Sequence, residues 1–237
     1  MKKILTSTLL AATVLGAGLA ASGSASAADG KETSKASTNG SVTFIPGSGV
    51  DPVDPTKPEV PTDPGDGNNG GTEDKGPLAI VYATDKVSFG LGKIEDKKYV
   101  FESKVPVSAK SQDLQGSNFI SLQVGDVRGT SAGWILSVSA DQFTSPTYGE
   151  LGGATLTLGE GENVLTGSAT GTAAVSAKVD NVIGAGGTVL SAAPTTGAGL
   201  NADKISANNM TLTIPAGSAK VDTYTTTLNW SLKDVPA

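Results

Sequence analysis

The chain has 237 residues and a formal net charge of −6, and Phe, Trp and Tyr together supply only 5% of it. It contains no cysteine and no histidine, which excludes disulfide frameworks, thiolate metal sites and a cysteine nucleophile, and removes the commonest general base and transition-metal ligand. An acidic chain of this kind gains nothing from counterion release on nucleic acid and is repelled by anionic polymers, so no nucleic acid partner is expected.

In chain order the first element is an export signal. Lys2 and Lys3 open a positive segment, an apolar run follows from Ile4 to Ala20, and Ala25-Ser-Ala27 supplies small residues for cleavage, which predicts a signal peptide over 1–27. No later stretch is apolar for the ~18 residues a membrane span needs. The mature protein is therefore expected to be exported and soluble, and an exported chain without cysteine fits a bacterium with a single membrane.

Residues 28–77 form a leader and spacer rich in Pro, Gly, Asp, Thr and Asn. Asp51-Pro52-Val-Asp54-Pro55 and its continuation favour extended polyproline II, while Gly65-Asp-Gly-Asn-Asn-Gly-Gly71 favours flexible chain. Neither can bury a core, so the segment is predicted to be disordered. Residues 41–46, Ser-Val-Thr-Phe-Ile-Pro, stand out as an apolar island. They read either as a short strand that adds to a sheet edge or as a loose segment.

From Leu78 the hydrophobic period becomes two. Ile120, Leu122 and Val124 share a parity, as do Leu156 and Leu158, and then Met210, Leu212 and Ile214, with Ser, Thr, Gln or Ala mostly between them. That alternation predicts antiparallel strands with one buried and one wet face. Glycine-rich turns such as Gly159-Glu-Gly161, Gly184-Ala-Gly-Gly187 and Gly197-Ala-Gly199 space the runs for strand returns. Residues 78–237 are thus predicted to be all-β, a single antiparallel β-sandwich of roughly eight to eleven strands.

The chemistry-bearing residues show no catalytic pattern. Asp126, Asp141, Glu150, Glu160 and Glu162 could serve as paired carboxylates, but nothing fixes two of them at a productive separation. Gly159-Glu-Gly-Glu-Asn163 lacks the ligand spacing of a calcium loop, and no Ser-x-x-Lys occurs in the folded part. Lys93, Lys97, Lys98, Lys104 and Lys110 gather near one predicted strand and read as a solvated edge that discourages aggregation. The expectation is a protein with no metal, no cofactor and no enzymatic activity.

The two tryptophans share one tripeptide frame, Trp134-Ile135-Leu136 and Trp230-Ser-Leu232. In the first, Trp134, Leu136 and Val138 fall on one strand face. In the second, Tyr224, Thr226, Leu228, Trp230 and Leu232 fall on one face, opposite Thr225, Thr227, Asn229 and Ser231. Alternation leaves two readings open: both indoles are core, or an indole edge reaches a groove and grips a sugar ring or a peptide.

The paired motif, its second copy near the carboxyl end, the Thr-Asn-Gly-Ser-Val-Thr-Phe leader, the Asp-Pro-rich spacer and the Val87-Ser-Phe89-Gly90 opening together resemble the WxL domain of Gram-positive surface proteins. The resemblance implies non-covalent attachment to the cell wall, with peptidoglycan as ligand and Trp134, Leu136, Trp230 and Leu232 as the motif positions implicated in binding. It also implies complexes with other WxL proteins and membrane-anchored WxL-interacting proteins, and for some members adhesion to host matrix. The second motif of the family often has Thr before its Trp where this chain has Asn229, on the strand face opposite the indole. The terminal Lys233-Asp-Val-Pro-Ala237 carries no sorting motif or apolar tail, which predicts non-covalent retention at the cell surface. The competing expectation is an interaction subunit or adhesin held at the surface by its partners.

Overall fold

The computed structural model describes residues 41–52, 76–84, 86–104, 119–166 and 171–235. The signal peptide over 1–27, most of the leader, the glycine-rich spacer and Lys110 lie outside the described residues. Thirteen strands occur among them, all within the unit Thr43–Ala237. They are β1 (Leu78–Ala83), β2 (Tyr99–Glu102), β3 (Phe119–Asp126), β4 (Trp134–Ala140), β5 (Thr144–Ser145), β6 (Gly149–Glu150), β7 (Thr155–Leu158), β8 (Glu162–Thr166), β9 (Val175–Ser176), β10 (Gly187–Ala192), β11 (Gly199–Ser206), β12 (Met210–Ile214) and β13 (Leu228–Asp234). Every strand ladder is antiparallel, so the fold is the all-β antiparallel one that the period-two alternation predicts. The strands outnumber the eight to eleven expected because β5, β6 and β9 have two residues each, too short to show a period.

Two four-stranded sheets, β1-β3-β11-β8 and β13-β4-β10-β9, and one three-stranded sheet, β2-β12-β7, share a single apolar core. Ile120, Leu122 and Val124 of the first sheet meet Trp134, Leu136 and Val138 of the second and Leu156, Leu158, Met210 and Leu212 of the third. With no disulfide to constrain the unfolded chain, this burial carries the stability. The predicted parities hold on β4, β7 and β12, where inward residues are buried and their neighbours are at least partly exposed.

β3 departs from the one-wet-face expectation. Ile120 to Asp126 are all buried, including Ser121 and Gln123. One reason is the leader: Val50 packs on Ala79, Val81 and Leu200, on the face of this sheet away from the main core. Gly125 permits that approach, since a side chain there would begin 2.2 Å from Val50 Cγ2. Just before it, Gly47 N–H donates to the Val127 carbonyl at 3.0 Å.

Residues 41–46 form no strand, and Val42, Phe44 and Ile45 are exposed, Phe44 to 88%. The alternation that suggests a strand there is real, but the chain makes its first sheet contact one residue later, at Gly47.

Candidate functional site

The two Trp-x-Leu strands are neighbours. β13 pairs along the whole of β4, setting Trp230 opposite Val138, Leu232 opposite Leu136 and Asp234 opposite Trp134. β13 is the edge strand of its sheet. The parity predicted for it is strict: Leu228, Trp230 and Leu232 turn inward and are half-buried, while Asn229, Ser231 and Lys233 are exposed.

The tryptophans differ in environment. Trp134 is fully buried, as is Leu136. The Trp134 indole Nε1–H donates to the Gly197 carbonyl at 3.2 Å, and Asn201 Nδ2 donates to the same oxygen at 2.8 Å. Asn201 Oδ1 in turn accepts from Ala174 N–H at 2.9 Å and from Asn163 Nδ2 at 3.3 Å. Position 197 requires glycine: its φ is +70°, and a Cβ there would lie 2.3 Å from the Ala192 methyl and 3.0 Å from the indole nitrogen. Trp134 and Leu136 are therefore interior, while Ile135 between them is half-buried on the opposite strand face.

Trp230 instead lines a groove of about 710 Å3. One wall is residues 86–94, the other Ala219, Lys220 and residues 222–227, and the floor is drawn from Ile120, Leu158, Met210 and Leu212. Six of the chain's eleven aromatic residues line it: Phe89, Tyr99, Phe101, Phe143, Tyr224 and Trp230. Phe89 meets Phe143 edge-on at 5.9 Å, and Tyr99 stacks on Phe101 at 5.8 Å. Both walls are pinned. Ser88 and Lys104 exchange backbone bonds of 2.8 and 2.7 Å, and Tyr99 Oη donates to the Glu95 carbonyl at 2.9 Å. Opposite, Thr225 and Thr144 exchange bonds of 2.9 Å, Thr226 Oγ1 donates to the Asp141 carbonyl at 2.7 Å, and the Tyr224 hydroxyl accepts from Lys220 N–H at 3.2 Å.

Arg128 fastens the far end of β13. Its Nε and Nη2 donate to the two carboxylate oxygens of Asp126 at 2.9 and 2.7 Å, Nη2 also reaches the Gly133 carbonyl at 2.9 Å, and Nη1 bonds Asp234. One guanidinium thus ties the end of β3, the entry to β4 and the end of β13, and its carboxylate partners, Asp126 foremost, hold its pKa above the usual value.

The family described as WxL domain, surface cell wall-binding, matches residues 31–236. The chain belongs to the WxL family. No curated protein and no solved structure matches it. Membership makes this a cell-wall-binding domain of the cell surface, and places its two WxL motifs side by side on β4 and β13. Of the four motif residues, Trp134 and Leu136 are interior, and Trp230 and Leu232 are half-buried on the edge strand.

Strand parity puts Tyr224 on the Trp230 face, and Phe89 belongs to the domain opening, but the sequence does not show that these meet Tyr99, Phe101 and Phe143. The five come from four separate segments, and only their scarcity in the chain could have marked the last three. Of the candidate carboxylates, Asp126 is bound by Arg128 and Glu150 is exposed on β6, and no group of three or more potential metal ligands occurs among the described residues.

A buried acid also escaped notice. Asp203 on β11 is fully buried; its Oδ2 accepts from Ser176 Oγ at 2.9 Å while Oδ1 has no partner. Loss of hydration pushes its pKa up to about 6, with Glu160 adding to the rise and the Ser176 bond opposing it. A raised folded-state pKa means that the folded protein holds the proton more tightly. Its stabilising effect is complete below the ordinary value near 3.8 and is lost as pH rises through about 6. Thermal melting from pH 4 to 7 should show stability declining by up to about 3 kcal/mol. Asp203→Asn should flatten that slope and melt higher at pH 7; an unchanged slope would assign it to another group.

Proposed function

We propose that the domain attaches non-covalently to peptidoglycan through the groove beside Trp230, and that it does so as a non-enzymatic surface protein. The observation that carries this reading is the gathering of six of eleven aromatic residues around one groove that includes the second WxL tryptophan. Flat rings on pinned walls offer contact area at little entropic cost, which suits retention on a large immobile polymer. Export by the predicted signal peptide would deliver the protein to that polymer. Other WxL proteins and membrane-anchored WxL-interacting proteins are its proposed neighbours there.

The test is sedimentation of the mature chain with protein-free wall sacculi. Trp230→Ala should weaken sedimentation by tenfold or more, a loss of the size typical of an aromatic anchor, while melting stays cooperative. Equal binding by the variant would remove the groove from the reading. Release of labelled fragments from wall incubated with the protein would overturn the non-enzymatic assignment.

The alternative, an interaction subunit or matrix adhesin held indirectly, draws on one observation. β13 is an edge strand, and such an edge can accept a strand from a partner. Failure to sediment with stripped sacculi, together with retention on intact walls that keep their proteins, would favour it.

A further inference from the structure

The rim of the groove carries a charge opposite to that of the chain. Lys86, Lys93 and Lys220 line it against a single acid, Asp222, in a protein with 23 acidic and 17 basic residues. The Asp222 carboxylate is already engaged, accepting from Ser145 Oγ at 2.8 Å and from Thr223 N–H at 2.8 Å. Among the cations stand apolar tips. Leu91 and Ile94 project from one wall, fully and half exposed. Exposed apolar side chains interleaved with lysines around an aromatic groove imply a ligand with both methyl groups and negative charge.

Three wall chemistries can be weighed against that rim. A neutral sugar strand would use the aromatic faces but would not match the charge of Lys93 and Lys220. A polyol phosphate would match the lysines but present nothing to Leu91 or Ile94. A short peptide with free carboxylates and alanine-type methyl groups matches both, and its amides suit the hydroxyls of Thr223, Thr225 and Thr227 along the wall.

We propose that the groove takes the carboxylate-bearing peptide portion of the wall and not its sugar strands, an assignment that rests on the groove being the wall-binding site. The mature chain is bound to protein-free sacculi and challenged separately with peptides cut from those sacculi by an amidase and with the sugar strands left behind. Displacement by the peptides and none by the sugar strands is expected. Lys93→Gln combined with Lys220→Gln should weaken sedimentation roughly tenfold without lowering the melting temperature, the size expected when two exposed charge contacts are lost. Sacculi stripped of phosphate polymers should bind as before. Displacement by sugar strands alone, with the lysine variant binding normally, overturns the peptide assignment and leaves the groove as a wall site. Loss of binding after phosphate removal also overturns it. If the unaltered chain does not sediment with any sacculi, the wall-binding reading itself fails.

Discussion

Trp134→Ala is expected to cost about 3–5 kcal/mol of folding stability, enough to unfold much of the population of a marginally stable domain. The indole is fully buried between the sheets, so truncation leaves a cavity in a core that has few other large side chains to fill it. The Gly197 carbonyl would also lose one of its two donors, leaving only Asn201. Trp134→Phe keeps most of the packing and loses the hydrogen bond, so an intermediate loss of about 1–2 kcal/mol is expected. The same truncation at Trp230, half-buried on an edge strand, should cost about 1–2 kcal/mol, because less apolar area leaves water there. Urea unfolding of the three variants checks this ranking. Equal losses at the two tryptophans would mean that the motifs share one structural role.

The second large effect is expected at Arg128. Arg128→Met strands the Asp126 carboxylate, 5% exposed, without its bidentate partner, and an unpaired buried charge costs about 3–5 kcal/mol. It also releases Asp234 and the entry to β4 through the Gly133 carbonyl. Asp234→Asn should cost under about 1 kcal/mol, since that carboxylate is 61% exposed and its pair is screened. Combining Arg128→Met with Asp126→Asn should recover part of the loss, because the partner no longer carries an unpaired charge. Additive losses in that cycle would show that the two side chains are not coupled.

Much of the fold is legible in the sequence because period-two alternation is a direct record of which strand face is buried. Met210, Leu212 and Ile214 are an example, and the parity of Leu228, Trp230 and Leu232 holds residue by residue. β3 is less legible. Its Ser121 and Gln123 read as a wet face, yet both are buried in the structure. Polarity reports how a side chain prefers to be solvated and not which neighbours will cover its strand, as Val50 of the leader does at Gly125. Residues 41–46 show the reverse: an apolar alternation sufficient for a strand, left exposed because no strand pairs with it.

The site divides in the same way. The motif frame locates Trp134 and Trp230, but alternation cannot distinguish an interior indole from one at a groove, since both turn inward. What separates them is sheet position: β4 lies between β10 and β13, whereas β13 has a neighbour on one side only. That difference depends on pairing order, which no local pattern encodes. The groove itself is assembled from residues near 89, 100, 143 and 224–230, brought together only by the topology.

The Arg128 clasp has a consequence for how the protein comes into being. It joins residues 106 positions apart in the chain, and β4 cannot acquire its outer neighbour until β13 has been made. Long-range closures of this kind form slowly, because the chain must meet the entropy of a large loop before the contacts stabilise it. Until β13 docks, the outer edge of β4, with Trp134 and Leu136 on it, has no strand beside it, so closure of this sheet waits on the strand that is made last among those described.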